Sequence, residues 1–434
     1  MRGGGKKKSE ARGMIRESII SLVGLLVLVG LGWLFSNNRK AINWRTVQWG
    51  IGLQLVFAVL ILKTTPGEWF FDFMNRAVNK LLSFQVEGAR FVFNALAVPP
   101  GVEGSMGFFF AFQVLTTIVF FSSLISILYY LGLMQKIVLL FARIMARTCG
   151  TSGAESLSAS ANIFVGQTEA PLLIKPYVQD MTDSELHCVM VGGMATVAGG
   201  VMAAYVGMLS GHFPDIAGHL LAASVMSAPA ALVMAKLLVP ETGHPKTRGI
   251  VELPYKDPSV NVLEAAANGA TTGLQLALNV GAMLVAFMGL LALLNWLVQQ
   301  VCGLAGHPNV GFDTLLGWMF APLAWIMGVP WKDCAFIGQL MGEKTFLNEF
   351  VAYTHLAQYA NDAGNPELEH RSYVIATYAL CGFSNFLSIG IQIGGIGGLA
   401  PSRKSDLARL GVRALIGGSL ACFMTAAIAG MLVR

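Results

Sequence analysis

Two stretches of this sequence are apolar enough to enter a membrane, but each is interrupted before it can cross. They are residues 155–177, ESLSASANIFVGQTEAPLLIKPY, and residues 333–356, DCAFIGQLMGEKTFLNEFVAYTHL. The first is interrupted at 166–167 and the second at 342–344. The pieces on either side hold roughly ten to twelve residues and cover about half of the ~30 Å apolar core of a bilayer. We therefore predict two helical hairpins that enter and leave on the same side.

Each predicted hairpin carries a polar cluster with a carboxylate, which we expect in the first turn of its second half-helix. The clusters are residues 167–169, Gln-Thr-Glu, and the pair Asn348 and Glu349. A carboxylate at the centre of a membrane costs roughly 2.5–3.5 kcal/mol on insertion scales. Two of them in matched positions predict a functional site.

The composition is that of a polytopic membrane protein. Of 434 residues, 55% are hydrophobic and only 12% are charged, which excludes an ordinary soluble domain. The net charge of +5 comes without the basic and aromatic pattern of a nucleic-acid binder. Eight apolar stretches have spanning length: residues 18–35, 47–62, 107–131, 187–209, 216–238, 274–304, 374–396 and 412–433.

Loop charges set the expected orientation, because short loops rich in Lys and Arg stay in the cytoplasm. Four loops on one side of the eight-span thread are basic, and they contain Arg39, Lys40, Arg45, Lys136, Arg143, Arg147, Lys246, Arg248, Arg403, Lys404 and Arg409. With an even number of spans, both termini then lie outside. The basic N-terminal tail, in contrast, favours a cytoplasmic N-terminus. We give the four loops more weight and predict a multi-pass membrane protein with both termini outside.

An internal repeat organises the chain from about residue 150. The order hairpin, broken span, span occurs once, and it returns after the region 240–300. By the parity above the two copies have opposite topology, as in the inverted repeats of secondary transporters. We predict four regions: 1–148, a three-span scaffold; 149–239, the first transport repeat; 240–312, an amphipathic connector and scaffold span; and 313–434, the second transport repeat.

The predicted fold class is therefore an all-α polytopic membrane protein. It has about eight transmembrane helices plus two opposed re-entrant hairpins. The fourth span, 187–209, and the seventh, 374–396, are expected to be broken in mid-membrane. Small or polar residues mark both interruptions: Thr196, Ala198, Gly199 and Gly200 in the fourth span, and Gly382, Ser384, Asn385 and Ser388 in the seventh.

Three motifs resemble the bacterial branch of the concentrative nucleoside transporter family. They are GQTEAP at 166–171, NEFVAY at 348–353, and GFSN at 382–385 followed by a glycine pair at 394–395. The resemblance covers the chain from about residue 150 to its end. It implies a homotrimer embedded in the lipid of the cytoplasmic (inner) membrane that couples nucleoside uptake to a sodium or proton gradient.

The resemblance also implies binding residues. A nucleobase would contact Gln167, Thr168 and Glu169, with Val201 and Phe383 as apolar walls. The ribose hydroxyls would be held by Glu349, Asn385 and Ser388. Sodium would be bound by Asn162, Val165, Thr196 and Val197. Thr196 departs from the Ser of the sodium-coupled pattern but keeps the hydroxyl.

The residue chemistry supports these roles and leaves alternatives open. An ionised Glu349 offers only acceptors, which suits sugar hydroxyls, and Asn385 both donates and accepts. Oxygens of Asn162 and Thr196 beside helix breaks suit Na⁺. The alternatives are an ion pair of Glu349 with Lys344, an ion pair of Glu169 with Lys175, and a helix-capping role for Thr168. Taken singly, Ser388, Val201 and Phe383 fit ordinary packing or backbone hydrogen bonding as well as a site.

Other function classes fit less well. The sequence GTSG at 150–153 matches the GxSG of intramembrane proteases, with His187 as the nearest base, but Ser152 stands where a helix N-cap is expected. Carriers of amino acids or dicarboxylates would need a basic residue at the site. Six scattered cysteines and seven histidines show no zinc or disulfide pattern.

The sequence thus predicts a secondary active symporter and not an enzyme. We expect it to import nucleosides by alternating access, with Na⁺ as coupling ion and no other cofactor. The first alternative is proton coupling, and the second is a sodium-coupled carrier of another small polar solute.

Overall fold

A computed structural model describes residues 3–99, 102–253, 257–307, 309–361 and 364–433, with side chains described from residue 16 onward. The described residues form α-helices, short 3₁₀ turns and no β-strand. The first nine helices are α1 (Gly3–Leu34), α2 (Trp44–Lys63), α3 (Thr65–Phe93), α4 (Phe110–Gln113), α5 (Leu115–Tyr130), α6 (Leu133–Cys149), α7 (Gly153–Ala161), α8 (Lys175–Val178) and α9 (Asp183–Met194). The others are α10 (Gly199–Leu209), α11 (Ile216–Leu238), α12 (Val262–Leu304), α13 (Phe312–Ile326), α14 (Cys334–Phe346), α15 (Glu349–Asn361), α16 (His370–Leu380), α17 (Phe386–Leu399) and α18 (Lys404–Leu432).

Seven helical segments of the described chain are long and apolar enough to cross a membrane: Arg16–Leu34, Trp44–Lys63, Phe110–Tyr130, Asp183–Leu209, Ile216–Leu238, Val262–Leu304 and Pro401–Leu432. They correspond to seven of the eight predicted spans. The eighth, 374–396, is divided between α16 and α17, neither of which is long enough alone. The expected interruption of this span is therefore confirmed, and so is the all-helical membrane fold.

Burial separates a central group of helices from a lipid-facing one. In the most apolar stretch of α11, 94% is buried within the protein, and in that of the α9–α10 segment 83% is buried. In the most apolar stretch of α12 only 11% is buried, so this helix lies at the periphery. It packs along α5 through glycines: a Cβ at Gly273 would lie 2.8 Å from the Cα of Val119. Close packing through small residues is typical of membrane helices.

The two predicted hairpins are present. Hairpin 1 (residues 153–178) consists of α7, a break formed by turns at residues 162–169, the 3₁₀ segment Ala170–Ile174 and α8. Hairpin 2 (residues 334–361) consists of α14 and α15. The residues 167–169 lie within the break of hairpin 1, before its second half begins, and not in the first turn of a helix as expected. Glu349 does begin its half-helix.

The predicted interruption of hairpin 2 at 342–344 is wrong. Helix α14 continues through these residues, and the break is at Leu347 and Asn348. A Cβ at Gly342 would lie 2.7 Å from the Cβ of Leu316, so this glycine allows α13 to approach closely and does not end the helix. The charged side chains of Glu343 and Lys344 have partners within the fold. Glu343 Oε2 lies 2.8 Å from His355 Nδ1, and Lys344 Nζ donates to the Ala379 carbonyl at 2.8 Å.

The hairpins enter from opposite ends of the molecule. Arg403, before α18, donates to the Met181 carbonyl just past hairpin 1 at 2.6 Å. Arg371 donates to the Gly328 carbonyl just before hairpin 2 at 2.7 Å and to the Val433 carbonyl, after α18, at 3.0 Å. The two hairpin bases thus lie at opposite ends of α18, which confirms the opposed arrangement.

The two broken spans cross at their interruptions. Residues 195–198 separate α9 from α10, and residues 381–385 separate α16 from α17. Phe383 N donates to the Thr196 carbonyl at 3.1 Å, which joins one break to the other. At Gly382 a Cβ would lie 2.8 Å from the Met194 carbonyl oxygen, so only glycine fits this crossing. Backbone groups freed from helical hydrogen bonding are therefore gathered in the interior.

Candidate substrate cavity and cation site

The hairpin breaks and the crossing of the broken spans surround one cavity of about 280 Å³. Residues of both hairpins, α10, α12 and α17 line it. The eight residues predicted to bind substrate all lie on its wall: Gln167, Thr168, Glu169, Val201, Glu349, Phe383, Asn385 and Ser388. Its volume is near the lower end of the range of small-molecule sites, about 300–1,000 Å³.

Glu349 is the first residue of α15 and is 4% exposed. Its Oε1 accepts from the Tyr205 hydroxyl at 3.1 Å, and its Oε2 accepts from Asn385 Nδ2 at 3.0 Å. The N-terminus of a helix also favours a carboxylate. The alternative pairing with Lys344 does not form among the described residues, since the Lys344 amine bonds the Ala379 carbonyl. The two carboxylate oxygens are thus each held by a neutral donor.

Asn385 joins the break of the seventh span to hairpin 2. It is the N-cap of α17, and its Oδ1 accepts from Ser388 N at 2.8 Å. Because Nδ2 donates to Glu349, the amide orientation is fixed at both ends. One hydrogen and one lone pair of the Asn385 amide stay available to a ligand.

Gln167 connects hairpin 1 to α17. Its Nε2 donates to Ser388 Oγ at 3.0 Å, and its Oε1 accepts from Gln392 Nε2 at 3.0 Å. Neither Gln392 nor Tyr205 was predicted from the sequence. Each stands four residues after a predicted site residue on the same helix, Ser388 and Val201, and this spacing places them on the same helical face. That spacing is the signal that would have found them.

Glu169 and Thr168 present polar atoms to the cavity wall. Glu169 Oε2 is buried and has no hydrogen-bond partner among the described residues, and the exposed Lys175 forms no ion pair with it there. A Cβ at Gly395 would lie 2.8 Å from Thr168 Cγ2, so the glycine makes room for this threonine. Val201, 2% exposed, and the half-buried Phe383 supply apolar surface.

The predicted sodium ligands lie at the end of α7 and in the break of the fourth span. Asn162 is the C-cap of α7; its Nδ2 donates to the Ser158 carbonyl at 3.0 Å, while its Oδ1 is buried without a partner among the described residues. Thr196 Oγ1 donates to the Gly192 carbonyl at 3.1 Å. A Cβ at Gly192 would lie 3.2 Å from Asn162 Nδ2, so both side chains adjoin the same turn of α9.

The remaining two predicted sodium ligands, Val165 and Val197, are also buried and lie in the same two non-helical segments. Only their backbone carbonyls can act as ligands. An orphaned amide oxygen, a hydroxyl and unwound backbone fit a hard cation that is bound by neutral oxygens.

Ser152 is a helix cap. Its Oγ accepts from Glu155 N at 3.4 Å, and Glu155 Oε1 accepts from Ser152 N at 2.6 Å, which together form a capping box at the start of α7. The described contacts of Ser152 do not include His187. The geometry therefore supports the capping role and does not place His187 as a general base for Ser152.

We expect Ser152→Ala to lower the free energy of unfolding by about 1 kcal/mol, because the first turn of α7 loses its side-chain acceptor. Ser152→Gly is the matched control and is expected to cost only a few tenths of a kcal/mol. Urea unfolding of the detergent-solubilised variants measures both. Equal losses for the two substitutions, or a proteolytic activity that disappears with Ser152, would contradict the capping role.

Three family profiles match this chain. The family profile described as "Na+ dependent nucleoside transporter C-terminus" matches residues 219–430, and its N-terminal counterpart matches 23–96. A profile described as "Nucleoside recognition" matches 111–211. An uncharacterized transporter of Haemophilus influenzae is 46% identical over 414 residues, which are 95% of this chain and 97% of that protein.

Two mammalian relatives are longer. Solute carrier family 28 member 3 of Mus musculus is 45% identical over 96% of this chain, and sodium/nucleoside cotransporter 1 of Rattus norvegicus is 42% identical over 96%. This chain spans 59% of the first protein and 64% of the second.

Solved structures of CNTnw share the fold. The inward-facing substrate-bound state has a TM-score of 0.88 at 42% identity, covering 96% of this chain and 98% of CNTnw. A variant in an outward-facing state has a TM-score of 0.90 at 41% identity, with 96% and 99% covered. Together with the apolar helices, these matches confirm the expected multi-pass protein of the inner membrane, and the relatives that they name are transporters and not enzymes. The chain belongs to the concentrative, Na⁺-dependent nucleoside transporter family.

Proposed function

We propose that this chain is a secondary active symporter that imports nucleosides across the cytoplasmic membrane by alternating access. The observation that carries the proposal is the cavity wall itself. It combines two carboxylates with amide and hydroxyl groups from both hairpins, and no Lys or Arg is among its described lining residues. Such a wall suits a neutral, hydroxyl-rich substrate and disfavours an anionic one.

In this proposal the ribose lies near hairpin 2 and the base near hairpin 1. Glu349 and Asn385 are already bonded to each other, so the acceptor and donor that two sugar hydroxyls need stand side by side. Ser388 receives a hydrogen bond from Gln167, so its own hydroxyl hydrogen remains available to donate. Gln167, Thr168 and Glu169 then face the base edge, and Val201 and Phe383 pack against its flat faces.

Na⁺ is proposed as the coupling ion, bound by Asn162, Val165, Thr196 and Val197. The buried, unpartnered Asn162 Oδ1 supports this assignment. An amide, a hydroxyl and backbone oxygens do not titrate near neutral pH, so this position cannot exchange protons during a cycle. The alternative is that Glu169 or Glu349 takes up a proton and drives uptake.

Two further expectations belong to the same proposal. The regions 149–239 and 313–434 are the transport repeats, and the cavity lies between them and α12. The region 1–148 is a scaffold, and the region 240–312, which contains α12, is the connector and scaffold span. The chain assembles as a homotrimer in the lipid bilayer. The little-buried, apolar α12 offers a surface for either lipid or a second copy.

A competition experiment tests the substrate class. Purified protein in proteoliposomes takes up labelled uridine in the presence of free ribose, uracil, adenosine, an amino acid or a dicarboxylate. We expect adenosine to compete and the two halves of the nucleoside to compete weakly, because each half contacts only one hairpin. Competition by the amino acid or the dicarboxylate instead would contradict a nucleoside site.

A further inference from the structure

A short series of amide hydrogen bonds runs from the backbone of α9 to Gln167. Gln392, on α17, is fully buried. Its Nε2 donates to the Met190 carbonyl at 3.0 Å and to Gln167 Oε1 at 3.0 Å. Gln392 does not line the cavity that holds the predicted substrate residues, so it acts on that cavity only through Gln167.

The Met190 carbonyl decides which way both amides face. A backbone carbonyl can only accept, so Gln392 must turn its NH₂ group toward it, and the second hydrogen of this group then faces Gln167. If Gln392 were reversed, its oxygen would oppose the carbonyl oxygen of Met190. Gln167 must therefore present its oxygen to Gln392 and its NH₂ group to Ser388 Oγ.

Two features show that this arrangement is built into the packing. Gln392 Oε1 is buried and has no partner among the described residues, so the side chain is oriented by its NH₂ group alone. On α9, a Cβ at Gly193 would lie 2.7 Å from Gln167 Cβ and 2.9 Å from Gln392 Nε2. The missing side chain at Gly193 thus makes the space in which the two amides meet.

We propose that Gln392 is a positioning residue that fixes the amide orientation of Gln167 and thereby sets which nucleobases are accepted. The proposal rests on the proposed function, in which Gln167 reads the base edge. After its two bonds, Gln167 keeps one hydrogen and one lone pair for a ligand, in a fixed spatial order.

That fixed order distinguishes two bases of similar size. Uracil presents a donor at N3 and an acceptor at O4, whereas cytosine presents an acceptor at N3 and a donor at N4. A locked amide matches one of these orders. An amide that is free to turn over matches both, so the loss of Gln392 should weaken the discrimination between uridine and cytidine.

The test is Gln392→Met, which keeps the length of the side chain and removes both donors. Half-inhibitory concentrations of unlabelled uridine and cytidine are measured against labelled adenosine uptake in proteoliposomes. We expect the wild type to prefer one of the two nucleosides clearly. In the variant, the ratio of the two half-inhibitory concentrations should move toward one by about fivefold, which corresponds to the free energy of one neutral hydrogen bond. This ratio does not depend on how much protein is folded.

Gly193→Ala is the second variant and decides the matter if Gln392→Met does not fold. It pushes the two amides apart without removing a polar group, and its ratio should move in the same direction. Gly390→Ala is the control, because Gly390 is exposed on α17 and a Cβ there meets no atom within 4 Å. Its ratio should equal that of the wild type.

A ratio unchanged in both variants, or a wild type without preference, would overturn the role of Gln392. Equal weakening of both nucleosides would indicate a merely structural role. These outcomes leave the proposed function standing as long as the wild type takes up nucleosides. A wild type that takes up none would remove the proposed function and this inference together.

Discussion

Glu349→Gln should lower nucleoside uptake by at least ten- to a hundredfold while the protein still folds. The wild-type carboxylate accepts one hydrogen bond from Tyr205 and one from Asn385, on separate oxygens. In the proposed complex its remaining lone pairs accept from the ribose hydroxyls. A glutamine has only one acceptor oxygen, and its NH₂ group takes the place of the second acceptor that the sugar hydroxyls need. Hydrogen bonds to a charged group contribute about 1.5–3 kcal/mol each, which corresponds to this loss in binding.

The variant is compared with Glu367→Gln, the same substitution at an exposed position of the loop before α16. Initial rates of uridine uptake are measured for both in proteoliposomes, and size-exclusion chromatography reports folding and assembly. The control should retain wild-type rates. Wild-type uptake by Glu349→Gln would remove the carboxylate from the substrate site.

Thr196→Val should raise the Na⁺ concentration needed for half-maximal uptake by at least about tenfold, as expected when one ligand oxygen is lost. Valine keeps the shape of threonine and removes only the hydroxyl. Nucleoside affinity at fixed Na⁺ should fall as well, since linkage requires each ligand to strengthen the other by the same factor. Uptake is measured over a series of Na⁺ concentrations, with choline replacing Na⁺.

Thr425→Val is a close control for this experiment. Thr425 is also fully buried, and its Oγ1 also donates to the carbonyl four residues earlier, Ala421, at 2.9 Å. It lies on α18, outside the proposed cation site. A shifted Na⁺ dependence in both variants would indicate a general packing effect, and an unchanged dependence in Thr196→Val would place the cation elsewhere.

The hairpins and broken spans were predictable because they follow from length. Half-helices of about ten residues cannot cross a bilayer, and polar clusters at membrane depth need a common interior. Six of the eight cavity residues belong to the three motifs, which lie at the hairpin breaks and just before α17. The other two are Ser388, in the first turn of α17, and Val201, on α10. Their roles in binding stay predictions.

What the sequence did not show depends on contacts between distant segments. Gly342 reads as a helix break, yet the close approach of Leu316 on α13 gives it a packing role inside a continuous helix. Helix α13 itself is too short to be counted as a span. Gln392 becomes significant only when Met190, some two hundred residues earlier, is seen beside it. No local pattern encodes such a pair.

We propose that a Na⁺ gradient drives nucleosides inward. One charge moving down 100 mV supplies about 2.3 kcal/mol, enough to concentrate a neutral nucleoside roughly fifty-fold. The direct measurement is uridine accumulation in proteoliposomes at fixed pH, with an imposed inward Na⁺ gradient or with choline instead. We predict accumulation above the external concentration with Na⁺, and its collapse when a sodium ionophore is added. Undiminished accumulation in choline that follows an imposed pH gradient would contradict Na⁺ coupling.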